Sequence, residues 1–468
     1  MIKYAAKTAA DRRRLSKGLT VKVLLGSVLL PAFLLANPSI ASAESLATAL
    51  KAAYQNHPGL RAERARQRGT DENLPQVLSG WRPTVTANAD AGVTWTDSKK
   101  FAPTTNHPAG FSITLNQPIF NGFKTVEGTK QAKAIIKAGN QQLLSVEQNV
   151  LLAAATAYMD VIRDRTIVRL RRKNVSVLAS QLSASNARFS VGEITRTDVS
   201  QSRARLAAAK ADLAVSRANL ASSIASYIRV MGHKPGRLRY PGRSRQTPKS
   251  LNYALAIAAK TSPQILAAAF NRQAAEAAIA VNKGDLLPTL SFSAQYSLRQ
   301  NPTTIVKRSG TGTIQGILSV PLYQGGAVYS RIRQAKHVES QRRLEVMDAK
   351  RQVRQSVVST WNSYLAAGQT ITSINAQIRA SSLALSGIRQ EAKVGSRTTL
   401  DILDAERELV NAQVNLAQAS RNKIVAGYQL VSSIGRMTAY HLRLSVPVYN
   451  AYENGAIVRD KWFGASIK

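Results

Sequence analysis

Two aspartates, Asp401 and Asp404, stand three residues apart just after the stretch Val394-Gly395-Ser396-Arg397-Thr398-Thr399. On a helix that spacing puts both carboxylates on one face, where several copies of the chain could concentrate negative charge and bind cations. The same residues suit a solvated first helical turn, which the helix dipole favours whatever their role. Residue types alone leave both readings open. Arg397 lies four residues before Asp401, a spacing that allows a weak local ion pair. Other chemistry is sparse. The five histidines, His57, His107, His233, His337 and His441, are scattered without metal-ligand spacing. There is no nucleophile elbow, phosphate loop or paired-carboxylate active site. The absence of cysteine removes disulfides, thiolate metal sites, Cys nucleophiles and a lipidated N-terminal cysteine. No enzymatic activity, metal or cofactor is expected.

The elements that must position these residues come from a repeat. Ser45-Leu46, Ala49-Leu50, Pro58 and Pro83 recur as Ser250-Leu251, Ala254-Leu255, Pro263 and Pro288, at an offset of 205. The offset then becomes 203: Pro118, Phe120 and Gly122 match Pro321, Tyr323 and Gly325, and Val191-Gly192, Asp198 and Gly232 match Val394-Gly395, Asp401 and Gly435. Residues 44–240 and 250–440 are therefore read as two repeats, joined by a linker at 241–249 and followed by a tail at 441–468. Each repeat opens with an Ala-rich helical stretch, Leu46 to Leu78 or Leu251 to Lys283. Two strand-like segments follow: Val85–Trp95 and Phe111–Phe120 in the first copy, Thr289–Leu298 and Thr313–Tyr323 in the second. Phe111, Ile113 and Leu115 alternate with Ser112, Thr114 and Asn116, the period of two expected of a strand. Beyond Gly122 and Gly325, each a strand-to-helix junction with Pro118 or Pro321, run proline-free helical stretches of about 65 residues, roughly 100 Å long. A turn at Val191-Gly192 or Val394-Gly395 leads into a shorter returning helix. Val199, Leu206, Leu213, Leu220 and Tyr227 form a heptad seam there, as do Ile402, Leu409, Leu416 and Leu430. Such seams call for coiled-coil packing.

Residues 1–43 read as a cleavable signal peptide, with a basic start, an apolar run from Val23 to Ala36 and the small-residue site Ala41-Ser42-Ala43. Ordinary secretion is favoured over the twin-arginine route suggested by Arg12-Arg13. The formal charge is +38, and +32 once the leader's seven Lys/Arg and single Asp11 are removed. A charge this positive attracts polyanions, though export argues against nucleic acid as the target, and solvated helix exteriors account for it more simply. The strand segments have about the nine to eleven residues that a tilted transmembrane strand needs. Four strands cannot close a membrane barrel, and open edges cannot face lipid. Three chains supply twelve strands and a matching ring of helices. Two rivals are a secreted coiled-coil adhesin, which explains the heptads but not the paired strands, and a polyanion-binding exported protein.

The chain resembles the TolC family of outer-membrane efflux channels along nearly all of its mature length. The resemblance rests on Asn56-His57-Pro58, Leu287-Pro288-Thr289-Leu290, Val320-Pro321-Leu322-Tyr323-Gln324-Gly325-Gly326 and, above all, Val394-Gly395-Ser396-Arg397-Thr398-Thr399-Leu400-Asp401-Ile402-Leu403-Asp404-Ala405. Its first-copy counterpart is Val191-Gly192-Glu193-Ile194-Thr195-Arg196-Thr197-Asp198-Val199. The tail from Tyr449 to Gly464 resembles alphaproteobacterial members. The resemblance implies an α+β membrane protein: a trimeric twelve-stranded β-barrel continuous with a twelve-helix periplasmic α-barrel. It implies the exit duct for tripartite efflux or type I secretion, joined to a periplasmic membrane-fusion adaptor and an inner-membrane RND or ABC transporter. It casts Asp401 and Asp404 as a cation-selective entrance ring whose crowded carboxylates repel one another and rise in pKa. Arg397, Asp198 and Thr197 become gate contacts, and Val191, Gly192, Val394 and Gly395 become adaptor-docking tips. Ala392 stands where the family's second copy often carries Tyr, which removes one closing hydrogen bond; Phe189 holds that place in the first copy.

Overall fold

The computed structural model describes residues 43–99, 101–242 and 246–467. Residues 1–42 of the predicted leader and residues 243–245 of the predicted linker lie outside these residues. The predicted opening helix of the first repeat is three helices: α1 (Leu46–Asn56), α2 (Pro58–Asp71) and α3 (Asn73–Leu78). Ser45 caps α1 by accepting from the Thr48 N–H, and His57 ends it because the residue before a proline is disfavoured in the helical region. The His57 Nδ1 then accepts from Gly59 N at 3.1 Å and starts α2. This is a capping role that its sequence context did not suggest.

Four strands follow: β1 (Thr84–Ala91), β2 (Thr94–Ser98), β3 (Phe101–Asn106) and β4 (Ala109–Asn121). The expected strand Val85–Trp95 breaks at Gly92 and Val93, and a separate two-stranded hairpin, β2–β3, fills the loop. The 67-residue α4 (Lys124–Ser190) and the 36-residue α5 (Arg196–Met231) form the first hairpin. The second copy repeats the order with α6 (Leu251–Thr261), α7 (Pro263–Lys283), β5 (Thr289–Gln300), β6 (Arg308–Ser319), the 67-residue α8 (Ala327–Lys393) and the 35-residue α9 (Thr399–Ser433). A short α10 (Glu453–Arg459) lies in the tail.

The sheet runs β1-β4-β5-β6, wholly antiparallel, so the two copies join at its centre through β4 and β5. Its register places Val85 opposite Leu115, Ala87 opposite Ile113 and Ala89 opposite Phe111. Across the centre, Phe111 meets Leu298, Ile113 meets Tyr296 and Leu115 meets Ala294, which in turn faces Ile314. Strand alternation therefore gathers the apolar side chains on one face and Thr, Asn, Ser and Gln on the other. Pro118 is inside β4, at a register shift between Pro118 and Phe120 that returns Phe120 to the apolar face opposite Leu290. Pro321 follows β6 outside the strand, and Gly122, Gly325 and Gly326 take positive φ where strand becomes helix.

Short helices complete the length of the long ones. α4 is flanked by α5 toward its C-terminal end and by α2 and α3 toward the sheet; α8 is flanked by α9 and α7 in the same way. The end of α9 abuts the α6–α7 junction: a Cβ on Gly435 would collide with Thr261 O, and the Thr261 hydroxyl donates to Ile434 O at 2.7 Å. The main core gathers Leu50, Tyr54, Leu151, Tyr158, Tyr227 and Met437, where the two copies and the tail meet. The Tyr158 hydroxyl donates to Glu44 O at 2.7 Å and the Tyr227 hydroxyl to Glu44 Oε1 at 2.6 Å. The heptad residues Val199, Leu206, Leu213 and Tyr227 are buried, as are Ile402 and Leu430.

Candidate functional site

Both hairpins turn at the end farthest along the chain from the sheet, and both turns are built alike. In the first, Gly192 N donates to Phe189 O at 3.0 Å and Glu193 N to Arg188 O at 3.0 Å. In the second, Gly395 N donates to Ala392 O at 3.3 Å and Ser396 N to Glu391 O at 3.0 Å. This paired closure satisfies the last helical carbonyls and needs a left-handed residue, so Gly192 (φ 80°) and Gly395 (φ 83°) are required by conformation. A Cβ on either would meet nothing. Val191 and Val394, just before them, are 77% and 81% exposed, leaving two bare apolar side chains at the tips.

Each returning helix starts with a capping box. Thr195 Oγ1 donates to Asp198 Oδ2 at 2.7 Å while Asp198 N donates back to Thr195 Oγ1 at 3.3 Å. Thr398 Oγ1 donates to Asp401 Oδ2 at 2.8 Å, and Thr398 N donates to the same oxygen at 2.9 Å. These bonds, with Arg397 nearby, hold Asp401 below its ordinary carboxylate pKa. For Asp401 within one chain, hydrogen bonds to the charged form set the direction of the shift.

Asp404 is not free either. Its Oδ1 accepts from Arg205 Nη2 at 2.7 Å, which joins α9 to α5 and so the second hairpin to the first. Arg397 does not reach across: its Nε donates to Glu391 Oε2 at 2.8 Å, straddling its own turn. Thr197 and Asp198 likewise stay in the first turn of α5. Deeper in the second hairpin, Arg389 Nη2 donates to the buried Glu406 at 2.6 Å. The symmetric positions of the first copy are Asn186 and Arg203, so this pair has no counterpart there. Sequence reasoning missed Glu391, Arg205, Arg389 and Glu406. Counting outward from each turn glycine would have found the pairs within a hairpin, but not the Arg205–Asp404 link.

A sheet with one apolar and one polar face and two long hairpins ending in exposed valines are matched by known proteins. A family model described as outer membrane efflux protein matches residues 49–233 and 254–436. The chain belongs to the outer membrane efflux protein family. It is 36% identical over 427 residues to the outer membrane efflux protein BepC of Brucella suis biovar 1 (strain 1330), covering 91% of this chain and 92% of that one. It is 27% identical to outer membrane protein TolC of Escherichia coli (strain K12), covering 89% and 88% of the two chains. Among solved structures, CusC shares the fold with a TM-score of 0.75 at 15% identity, over 83% of this chain and 92% of that one. As a member of this family the chain is an outer-membrane efflux duct whose helices extend into the periplasm. In a barrel of this kind an apolar sheet face meets lipid and a polar one lines the passage.

Proposed function

We propose that three copies of this chain form one tube, with repeats 44–240 and 250–440 each supplying two strands and one helical hairpin after removal of the 1–43 leader. The observation that carries this reading is the sheet itself: one continuous apolar face, one polar face, and two unpaired edges, β1 and β6. Lipid does not tolerate such edges, and joining β6 of one copy to β1 of the next removes all of them in a ring of twelve. The hairpins then form the periplasmic tunnel. Its tips, Val191-Gly192 and Val394-Gly395, dock onto a periplasmic adaptor through exposed apolar side chains on tightly closed turns. An inner-membrane transporter, of RND or ABC type, supplies the energy for efflux or type I secretion.

Asp401 and Asp404 form the entrance ring in this reading, and Arg397, Thr197 and Asp198 hold the tips in shape. The geometry supports closure in two layers: Arg397–Glu391 stiffens one hairpin, while Arg205–Asp404 ties it to the other. Reconstitution into planar bilayers tests the reading. Long-lived, cation-selective openings of low resting conductance are expected. A chain that inserts as a monomer without conductance would overturn it.

A further inference from the structure

The end of the chain carries an aromatic and basic segment that the tunnel does not use. α10 lies along α2 and α3, where Asn454 Nδ2 donates to Asp71 Oδ2 at 2.9 Å. Beyond α10, Arg82 holds the chain in place. Its Nη1 donates to Lys461 O at 3.0 Å and its Nη2 to Arg459 O at 3.3 Å. Its guanidinium also lies 4.8 Å from the centroid of the Trp462 ring. Despite that contact Trp462 is 57% exposed, and Phe463 is 87% exposed.

The anchor point fixes where these rings stand. Arg82 is two residues before β1. The carbonyl of its neighbour Trp81 accepts from Gln117 Nε2 at 2.9 Å. Gln117 follows Leu115 by two residues and pairs with Phe292, so it belongs to the lipid-facing side of the sheet. From Leu290 to Leu298 that apolar side runs roughly 27 Å along the strand at about 3.4 Å per residue, or about 20 Å in height at the usual barrel tilt, most of the apolar band of a barrel. Trp81, Arg82 and the tail therefore sit at the lower rim of that band. Tryptophan and basic residues at that depth are what a membrane–water interface selects.

We propose that residues 461–463, held by Arg82, seat on the phospholipid headgroups of the periplasmic leaflet of the outer membrane. The tail then acts as a second anchor beside the barrel. This rests on the barrel's placement in the membrane, and the test separates the two. The chain has four tryptophans, Trp81, Trp95, Trp361 and Trp462. Replacing the first three by Phe leaves Trp462 as the only fluorophore. In vesicles of phosphatidylethanolamine and phosphatidylglycerol brominated near the acyl-chain carbonyl, its emission should be quenched about twofold or more. Adding Arg82→Ala should remove most of that quenching. Ile113→Trp, in a chain whose four native tryptophans are Phe, reports the barrel. If it is quenched and Trp462 is not, the tail proposal falls and the barrel stands, whether Trp462 is exposed to water or covered by protein. If neither is quenched, both fall.

Discussion

Asp401 serves its own helix before it serves any passing ion. Thr398 holds it ionised, so its charge persists until the pH falls through its lowered value, and is lost only below the ordinary carboxylate range. Block of the channel by divalent or trivalent cations should therefore persist to about pH 5. Block fading near pH 6 would show that repulsion in an assembled ring outweighs the caps. Asp401→Ala with Asp404→Ala should weaken block about tenfold or more in planar bilayers; unchanged block would remove both from the entrance ring. Arg397→Ser should raise resting conductance, and Glu391→Gln should do the same, because the two share one ion pair. Type and spacing singled out the aspartates and Arg397, while their ring and gate roles came only from the family resemblance. Their partners were not, since Arg205–Asp404 depends on how two hairpins pack and Arg397–Glu391 on the path of one turn.

At the level of elements, the repeat was plain because prolines and glycines mark it. Gly122, Gly232 and Gly435 recur where the backbone must adopt positive φ, and their spacing survives when side chains diverge. The β2–β3 hairpin was hidden because it exists only in the first copy and its residues extend an already strand-like segment. The glycines also separate two kinds of constraint. Gly395→Ala meets only the left-handed backbone and should cost about 1 kcal/mol. Gly435→Ala adds a collision with Thr261 O and should cost about 3 kcal/mol or more, read as a larger fall in heat-dissociation midpoint. Glu147 offers a separate check on the core. Its carboxylate accepts from Ala439 N at 2.7 Å, and burial raises its pKa. An acid raised in the folded state stabilises the fold least once the pH exceeds that raised value. Glu147→Gln keeps the acceptor and removes the charge, so the midpoint should rise by about a few degrees at pH 8 and change little at pH 4.

For the whole molecule, the two copies build a symmetric wall and an asymmetric tip. Only the second carries Asp404, Arg397 and the Arg389–Glu406 pair, so three chains would present two alternating kinds of hairpin at the entrance. The central claim is that strands of separate copies close one barrel, β6 of each against β1 of the next. The cysteine-free sequence allows a direct test. Thr86→Cys on β1 can be combined with single cysteines at Thr311, Gly312, Thr313, Ile314 and Gln315 on β6, then oxidised in outer-membrane fractions. At the matching register, denaturing gels should show a disulfide-linked ladder of one, two and three chains, ending at three. No cross-link at any position, or a ladder that ends at another number, would contradict the twelve-stranded tube.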